Sequence, residues 1–585
     1  MEKIKITKSL AVFASVLLII IIGVASFAYF GTFNVNLVNN VAVNINSSSP
    51  GNATFISNAT QLNLQVPAAN MSFTAANNTV AAKEDTAFLD VTLTGSSNLL
   101  TTCTYDIVYE YDAGSNVYGQ GTTTKTSGAT KEITIEVNGM NGNNHFATET
   151  NFDHASIQSY YDSTNKYYKL VEGATIKSLG TEQSVRWRIT GRYYNLDVSQ
   201  AQLGGKNFTG KIYAISKGCS SEDGAVVKKG YETILANNGG VASITTLTST
   251  DFATATTASD KGMYKAQDDL GTSYYFRGAV DNNWLKYGKY TKDTYITMDS
   301  NRNYSLVESC NGLNLCAKLA SKGDDMYWRI IRINGDGSIR MIYSGVTPPT
   351  ESTKVIKTAD TSLGKSPFNP HYNSAEYVGY MYTIGEQHGT SKSSDIKTYL
   401  EDWYANYTDL NKTGTKITDQ IYCNDRTAST SNVAYSTTNY TTLTSWNSTR
   451  TEYYYGANGR VWNSPVSPDY KCPVASDKFT TTTAKGNGKL SYPVGLITAD
   501  EITFAGLPAG KTNNSFYLYT RDYYWAGSPY AFRGGNNAHE FFVFGGGILG
   551  SDNVHSNSGV RGVVSLSSES KLLGSGTYND VYVVS

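Results

Sequence analysis

The chain has 585 residues, 48 of them basic and 49 acidic, for a formal net charge of −1. That length is more than one hydrophobic core supports, so several domains are expected, and the charge balance argues against a nucleic-acid partner held by bulk electrostatics. Charged residues make up only 17% while Tyr occurs 44 times, a balance that suits short strands and adaptable binding surfaces in which Tyr supplies contact area at little entropic cost.

The N-terminal segment sets the compartment. Lys3, Lys5 and Lys8 precede a stretch from Ser9 to Phe33 that has no charged residue and holds the run LAVFASVLLIIIIGVASFAYF. About 20 apolar residues span a bilayer at 1.5 Å rise per residue, and the basic flank stays cytoplasmic. Residues 1–32 read equally as a single-pass anchor that meets the membrane through Ser9–Phe30, N-terminus inside, or as a signal cleaved near Ser26-Phe27-Ala28. Both place the rest of the chain outside, on the extracellular face of the cell membrane or secreted.

Export makes disulfides the natural state of the six cysteines, Cys103, Cys219, Cys310, Cys316, Cys423 and Cys472. None forms C-x-x-C and no His stands at zinc-ligand spacing, so no metal and no other cofactor is expected. Many pairings are open from sequence. Proximity favours Cys310 with Cys316 and Cys423 with Cys472, which leaves Cys103 for Cys219.

Residues 33–218 alternate strand-like runs with Gly/Asn/Ser clusters: AFLDVTLTG at 87–95, TYDIVYEYD at 104–112, KEITIEVNG at 131–139 and SVRWRITGRYYN at 184–195. β-Branched and aromatic enrichment without a 3.6-residue period predicts a β-sandwich. The run WRITGRYYNLDVSQAQLGGKNFTGKIYA, from Trp187 to Ala214, and GVASFAYFGTFNVN at the end of the apolar segment resemble the TasA/camelysin family of Gram-positive surface and matrix proteins. The resemblance implies a spacer domain with the capacity to self-associate through 33–218. Some members have been catalogued as metallopeptidases, but zincin chemistry needs two His one helical turn apart with a Glu between them. Here His145 and His154 have eight residues between them and no helical pattern.

Residues 219–259 read as a helical linker, with a helix in GYETILANNGG stopped by Gly239-Gly240 and a Thr/Ala-rich stretch after it. Residues 260–585 begin with an aromatic strand, YYFRG, and reach the clearest hairpin in the chain, YWRIIRI-NGDG-SIRMIY, with left-handed-tolerant residues at its tip. SSDIKTYLEDWYANY at 393–407 predicts a helix with Ile396, Leu400, Trp403 and Tyr407 on one buried stripe and Ser393 or Ser394 as N-cap. Thr498 and Glu501 stand at capping-box spacing. Trp525–Phe532, His539–Leu549 and Gly559–Leu566 read as three strands joined by Gly/Asn-rich loops. The fold class expected is mainly β with a few helices: an N-terminal transmembrane or signal helix, an all-β sandwich and an α+β terminal domain.

The blocks YYFRG, YWRIIRINGDGSIRMIY, CNDR, YPVGLITADE, YYWAGSP and GVRGVVSL, in that order, resemble bacterial surface proteins whose terminal domain, of unknown function, is C-type-lectin-like and akin to the formylglycine-generating-enzyme and variable-receptor branch of that fold. Two departures matter. Gly562 stands where the closing motif usually has Pro, and no Cys follows Cys472, so the oxidase chemistry of the enzymatic branch is not expected. Adjacent carboxylates such as Asp500-Glu501 diverge on a helix and make poor acid/base pairs, and a non-enzyme is expected. The leading expectation is a cell-surface recognition or adhesion protein for a glycan or protein ligand. Its candidate contacts are Trp525, Tyr530, Arg533, Asn536, Asn537, His539, Asn553 and His555, aromatic and polar groups of the kind that stack on and hydrogen-bond sugars. The alternative is a structural subunit of an extracellular matrix or fibre.

Overall fold

The computed structural model describes residues 41–46, 52–65, 83–95, 99–111, 132–139, 142–194, 207–223, 228–299, 304–311, 313, 316–429, 453–533 and 536–585. The chain is mainly β, with 44% strand and 13% helix. No helix among the described residues is long and apolar enough to cross a membrane, and the expected N-terminal anchor or signal lies outside them.

Two large hydrophobic cores form among the described residues. The first, from Phe55 to Ala214, lies between two antiparallel sheets. One carries Asn52–Ser57, Lys83–Thr94, Glu182–Tyr193 and Ile133–Asn138; the other carries Thr60–Gln65, Asn207–Asp223, Leu99–Tyr111 and Tyr167–Ser178. Alternation builds it: along Lys83–Thr94, Ala87, Leu89, Val91 and Leu93 are buried and their neighbours are half-exposed. Trp187 fills the centre, donating its indole N–H to Tyr105 Oη at 3.0 Å. Cys103 and Cys219 join across the paired strands Leu99–Tyr111 and Asn207–Asp223. The strand holding Cys219 continues to Asp223, so the sandwich runs past the expected boundary at 218.

The second core runs from Ile234 to Val584. Its central strand, Asp325–Ile333, is buried at every residue and forms the NGDG hairpin with Ile339–Tyr343. Gly337 takes φ 82° at the tip, a conformation that favours glycine. Gly271–Gly278 and Trp284–Lys289 flank the central strand, and Val563–Leu566 flanks Ile339–Tyr343. Ser394 caps the helix Asp395–Tyr407, whose stripe Ile396, Leu400, Trp403 and Tyr407 is buried as the spacing predicts. The stretch 228–259 is not a free linker. Ile234, Leu235 and Ile244 join the second core, and Phe252 packs on Phe504. A single apolar residue in a Thr/Ser-rich run leaves no periodicity, which is why the docking does not register in sequence.

A second correction concerns 539–549. It is two strands, Asn537–Val543 and Leu549–Asn553, reversed by a turn in which Gly547 adopts φ 77° and donates to Phe544 O at 2.8 Å. The remaining cysteines pair Cys310–Cys316 and Cys423–Cys472.

The two cores meet through charge. Arg188 Nη2 reaches Asp324 Oδ2 at 2.8 Å, and Arg186 Nη1 donates to Lys322 O. Lys286, 6% exposed, donates to Ser184 O at 2.8 Å and lies 3.7 Å from Asp325, which also holds Lys289 at 2.7 Å. Gln183 Nε2 donates to Val584 O at 2.9 Å. Removing a buried partner leaves a desolvated charge, at about 3 kcal/mol. Arg188→Ala combined with Lys286→Met is therefore expected to lower the first calorimetric unfolding transition by about 6 °C or more. An unchanged thermogram would show that these contacts carry no coupling between the cores.

Candidate functional site

The expected contact residues fall on one small sheet, built on the hairpin of Tyr524–Arg533 with Asn537–Val543 and extended by Leu549–Asn553. Pairing sets Arg533 opposite Asn537 and His539 opposite Asn553. The hairpin end thus gathers six of the eight: Arg533, Asn536, Asn537, His539, Asn553 and His555.

Their side chains form a linked row. Asn537 Nδ2 donates to Asn536 Oδ1 at 2.8 Å, and Asn553 Nδ2 donates to Asn537 Oδ1 at 2.9 Å. Asn553 Oδ1 accepts from the His555 backbone N–H at 3.3 Å, and His555 Nδ1 lies within hydrogen-bond reach of it. The His555 ring packs on Tyr372, centroids 4.4 Å apart. Tyr372 is 39% exposed and its carbonyl accepts from Ala538 N at 2.8 Å, which seats its loop on the hairpin. Sequence reading missed this residue. Its one local signal is the run HYN at 371–373, and the contact with His555 depends on the tertiary fold.

At the other end of the row the Arg533 guanidinium lies 4.8 Å from the Tyr530 ring centroid and 5.8 Å from that of Tyr454. Its Nη2 donates to Tyr530 Oη at 2.9 Å. The stack holds the cation in one orientation.

Two of the expected contacts are core residues. Trp525 is fully buried and donates its indole N–H to Ser366 O at 2.9 Å. Tyr530 is 1% exposed and packs edge-on against Phe541. Both rings lie on the packed faces of the strand, so neither reaches a ligand. Tyr530 serves instead to position Arg533.

Burial shapes the titration of this sheet. Desolvation first, then the Arg533 charge, pushes the His539 imidazole down to about 4, so it is neutral near pH 7. Next to it, Glu540 is fully buried with both carboxyl oxygens unpartnered. Desolvation pushes its carboxyl well above 4.5, against the weaker pull of Arg426. Such an acid holds, when folded, a proton that the unfolded chain releases. Its contribution to stability therefore falls as pH rises from about 4.5 toward the folded value, by about 1.4 kcal/mol per pH unit. Glu540→Gln, which removes the titration, is expected to leave Tm unchanged at pH 4 and raise it by several degrees at pH 7 to 8. A gain independent of pH would show that Glu540 does not titrate with folding.

No known protein family, curated protein or solved structure matches this chain.

Proposed function

We propose that this chain is a cell-surface recognition protein, in which a C-type-lectin-like terminal unit, 260–585, is presented on a TasA/camelysin-like sandwich and tethered or exported by residues 1–32. The observation that supports this reading is the row from Arg533 through Asn536, Asn537 and Asn553 to His555 and Tyr372. It offers a held cation, amide donors and acceptors, and an exposed ring at one edge. Amides and rings with a neutral imidazole suit a ligand read by hydrogen bonds and stacking, such as a surface glycan or a polar protein loop. Sugar rings lie on aromatic faces, and Tyr372 is the accessible face here.

Retention of the chain on glycan or protein arrays is the expected outcome. Asn537→Ala and Tyr372→Ala should each weaken it about tenfold, with Tm moved by no more than about 1 °C, as for surface positions. Silence across both arrays would remove the recognition reading. Assembly of the chain into fibres in that case would favour the structural alternative, with the sandwich as the joining part.

A further inference from the structure

A cleft of about 550 Å3, counting its open mouth, lies apart from the hairpin row. Its walls come from the NGDG hairpin, the loop stapled by Cys423–Cys472 and the start of the helix Ala499–Phe504. Each of the three arginines in these walls meets at least one carboxylate. Arg332 meets Asp268 at 2.7 Å and Glu501 at 3.1 Å, Arg340 meets Glu501 at 2.6 Å, and Arg460 meets Asp425 and Asp500 at 2.7 and 2.9 Å. An ionic ligand would have to compete with one of these pairs, and a fixed charge of its own sign would lie close by.

What remains unmet is hydrogen-bonding capacity. Among the described residues Arg332 Nη2 donates to nothing. Gln420 spends its amide nitrogen on Asp336 Oδ2 and Ser338 Oγ, at 2.6 and 2.7 Å, which leaves Oε1. Asn334 is 3% exposed and gives its amide nitrogen to Ser338 Oγ at 2.8 Å. The Ser338 hydroxyl proton is committed to Asp336 Oδ1 at 2.6 Å, so Ser338 accepts from Asn334 and the amide orientation follows. Asn334 Oδ1 is thus the atom without a partner. Tyr470 is held between the Arg332 guanidinium, 4.4 Å from its ring centroid, and the stacked Phe504 ring at 4.0 Å. Its hydroxyl is buried with no partner.

We propose that this cleft binds a neutral polyol, the class that includes a single uncharged sugar unit. A hydroxyl accepts and donates at once, so neighbouring hydroxyls on one ligand satisfy Arg332 Nη2 on one side and Gln420 Oε1, Asn334 Oδ1 and Tyr470 Oη on the other. No charge is added to walls in which each of these charges already has a counter-ion. The site shares no residue with the hairpin row and stands without the recognition reading.

The test is calorimetric titration of the full chain with a panel of neutral monosaccharides and alditols, with choline and inorganic phosphate as charged probes. Binding of a neutral polyol at millimolar concentration, with neither charged probe binding, is expected. Tyr470→Phe deletes an atom that makes no hydrogen bond in the empty protein, so its Tm should equal or exceed that of the parent while polyol binding weakens about tenfold. Asn537→Ala on the hairpin row should leave polyol binding unchanged. The proposal is overturned if no neutral polyol binds, if choline or phosphate binds instead, or if Tyr470→Phe binds as the parent does. Loss of array retention with polyol binding intact would instead count against the hairpin reading alone.

Discussion

The larger unit is tied together by one buried carboxylate. Glu501 is 2% exposed and closes the capping box of its own helix: it accepts from Thr498 N at 3.0 Å, and its backbone N–H donates to Thr498 Oγ1 at 3.1 Å. The same side chain meets Arg332 and Arg340, one from each arm of the NGDG hairpin. Burial alone would push the Glu501 carboxyl up, but the two guanidiniums outweigh it and hold the acid below its ordinary value. The geometry therefore sets the register of a helix start against a hairpin about 160 residues away in sequence. Loss of the carboxylate would leave two buried cations with Asp268 as the counter-ion that remains among the described residues, a defect in the range of about 3–5 kcal/mol. Hydrophobic packing around it is extensive but less directional, and it does not by itself fix which helix turn faces which strand.

The stapled loop uses the same device. Arg426 and Asp477 are both fully buried, joined through Arg426 Nε to Asp477 Oδ1 at 2.9 Å, and Asp477 also faces His388 Nδ1 at 2.9 Å. Cys472 N donates to Asp269 Oδ2 at 2.9 Å, which pins the disulfide loop to the first hairpin of the unit. On the central strand Arg329 lies 4.2 Å from the Trp284 ring centroid and donates to the carbonyls of Lys354 and Val280. In a chain with only 17% charged residues, this draws part of the charge inward, held by carboxylates at some arginines and by carbonyls and a ring at Arg329.

Local signals in the sequence were legible wherever a short-range rule applied. The capping spacing of Thr498 and Glu501, the stripe of Asp395–Tyr407, the NGDG turn and the three cysteine pairs all depend on neighbours or on elimination. What escaped was long-range. Phe252 docks through one ring, the turn at Gly547 interrupts what reads as a single strand, and Tyr372 gains its place only because a distant loop seats on Ala538. The candidate site shows the same division. Asn and Arg positions beside a hairpin turn could be picked out by type, but Trp525 and Tyr530 could not be separated from surface rings, because aromatic residues on a strand buried on both faces lack alternation. The cleft was invisible for a related reason. Its walls come from residues between 268 and 528, and no local motif encodes their convergence.

A single strand connects the two candidate sites. Ser528, on the wall of the cleft, and Arg533, at the end of the hairpin row, both belong to Tyr524–Arg533, and five residues of strand span about 16 Å. Between them stands Pro529, which has no N–H for the ladder, and the register with Asn537–Val543 shifts on both sides of it. Ser528 Oγ accepts from Ala499 N at 2.9 Å, so the cleft end of the strand is fastened to the helix that carries Glu501. The irregularity at Pro529 lets one strand do two things. Its first half is held to the ionic core, and its second half carries a regular hairpin out to an exposed end. A continuous ladder would transmit any shift of the hairpin directly to the Glu501 network, and an interrupted one confines it.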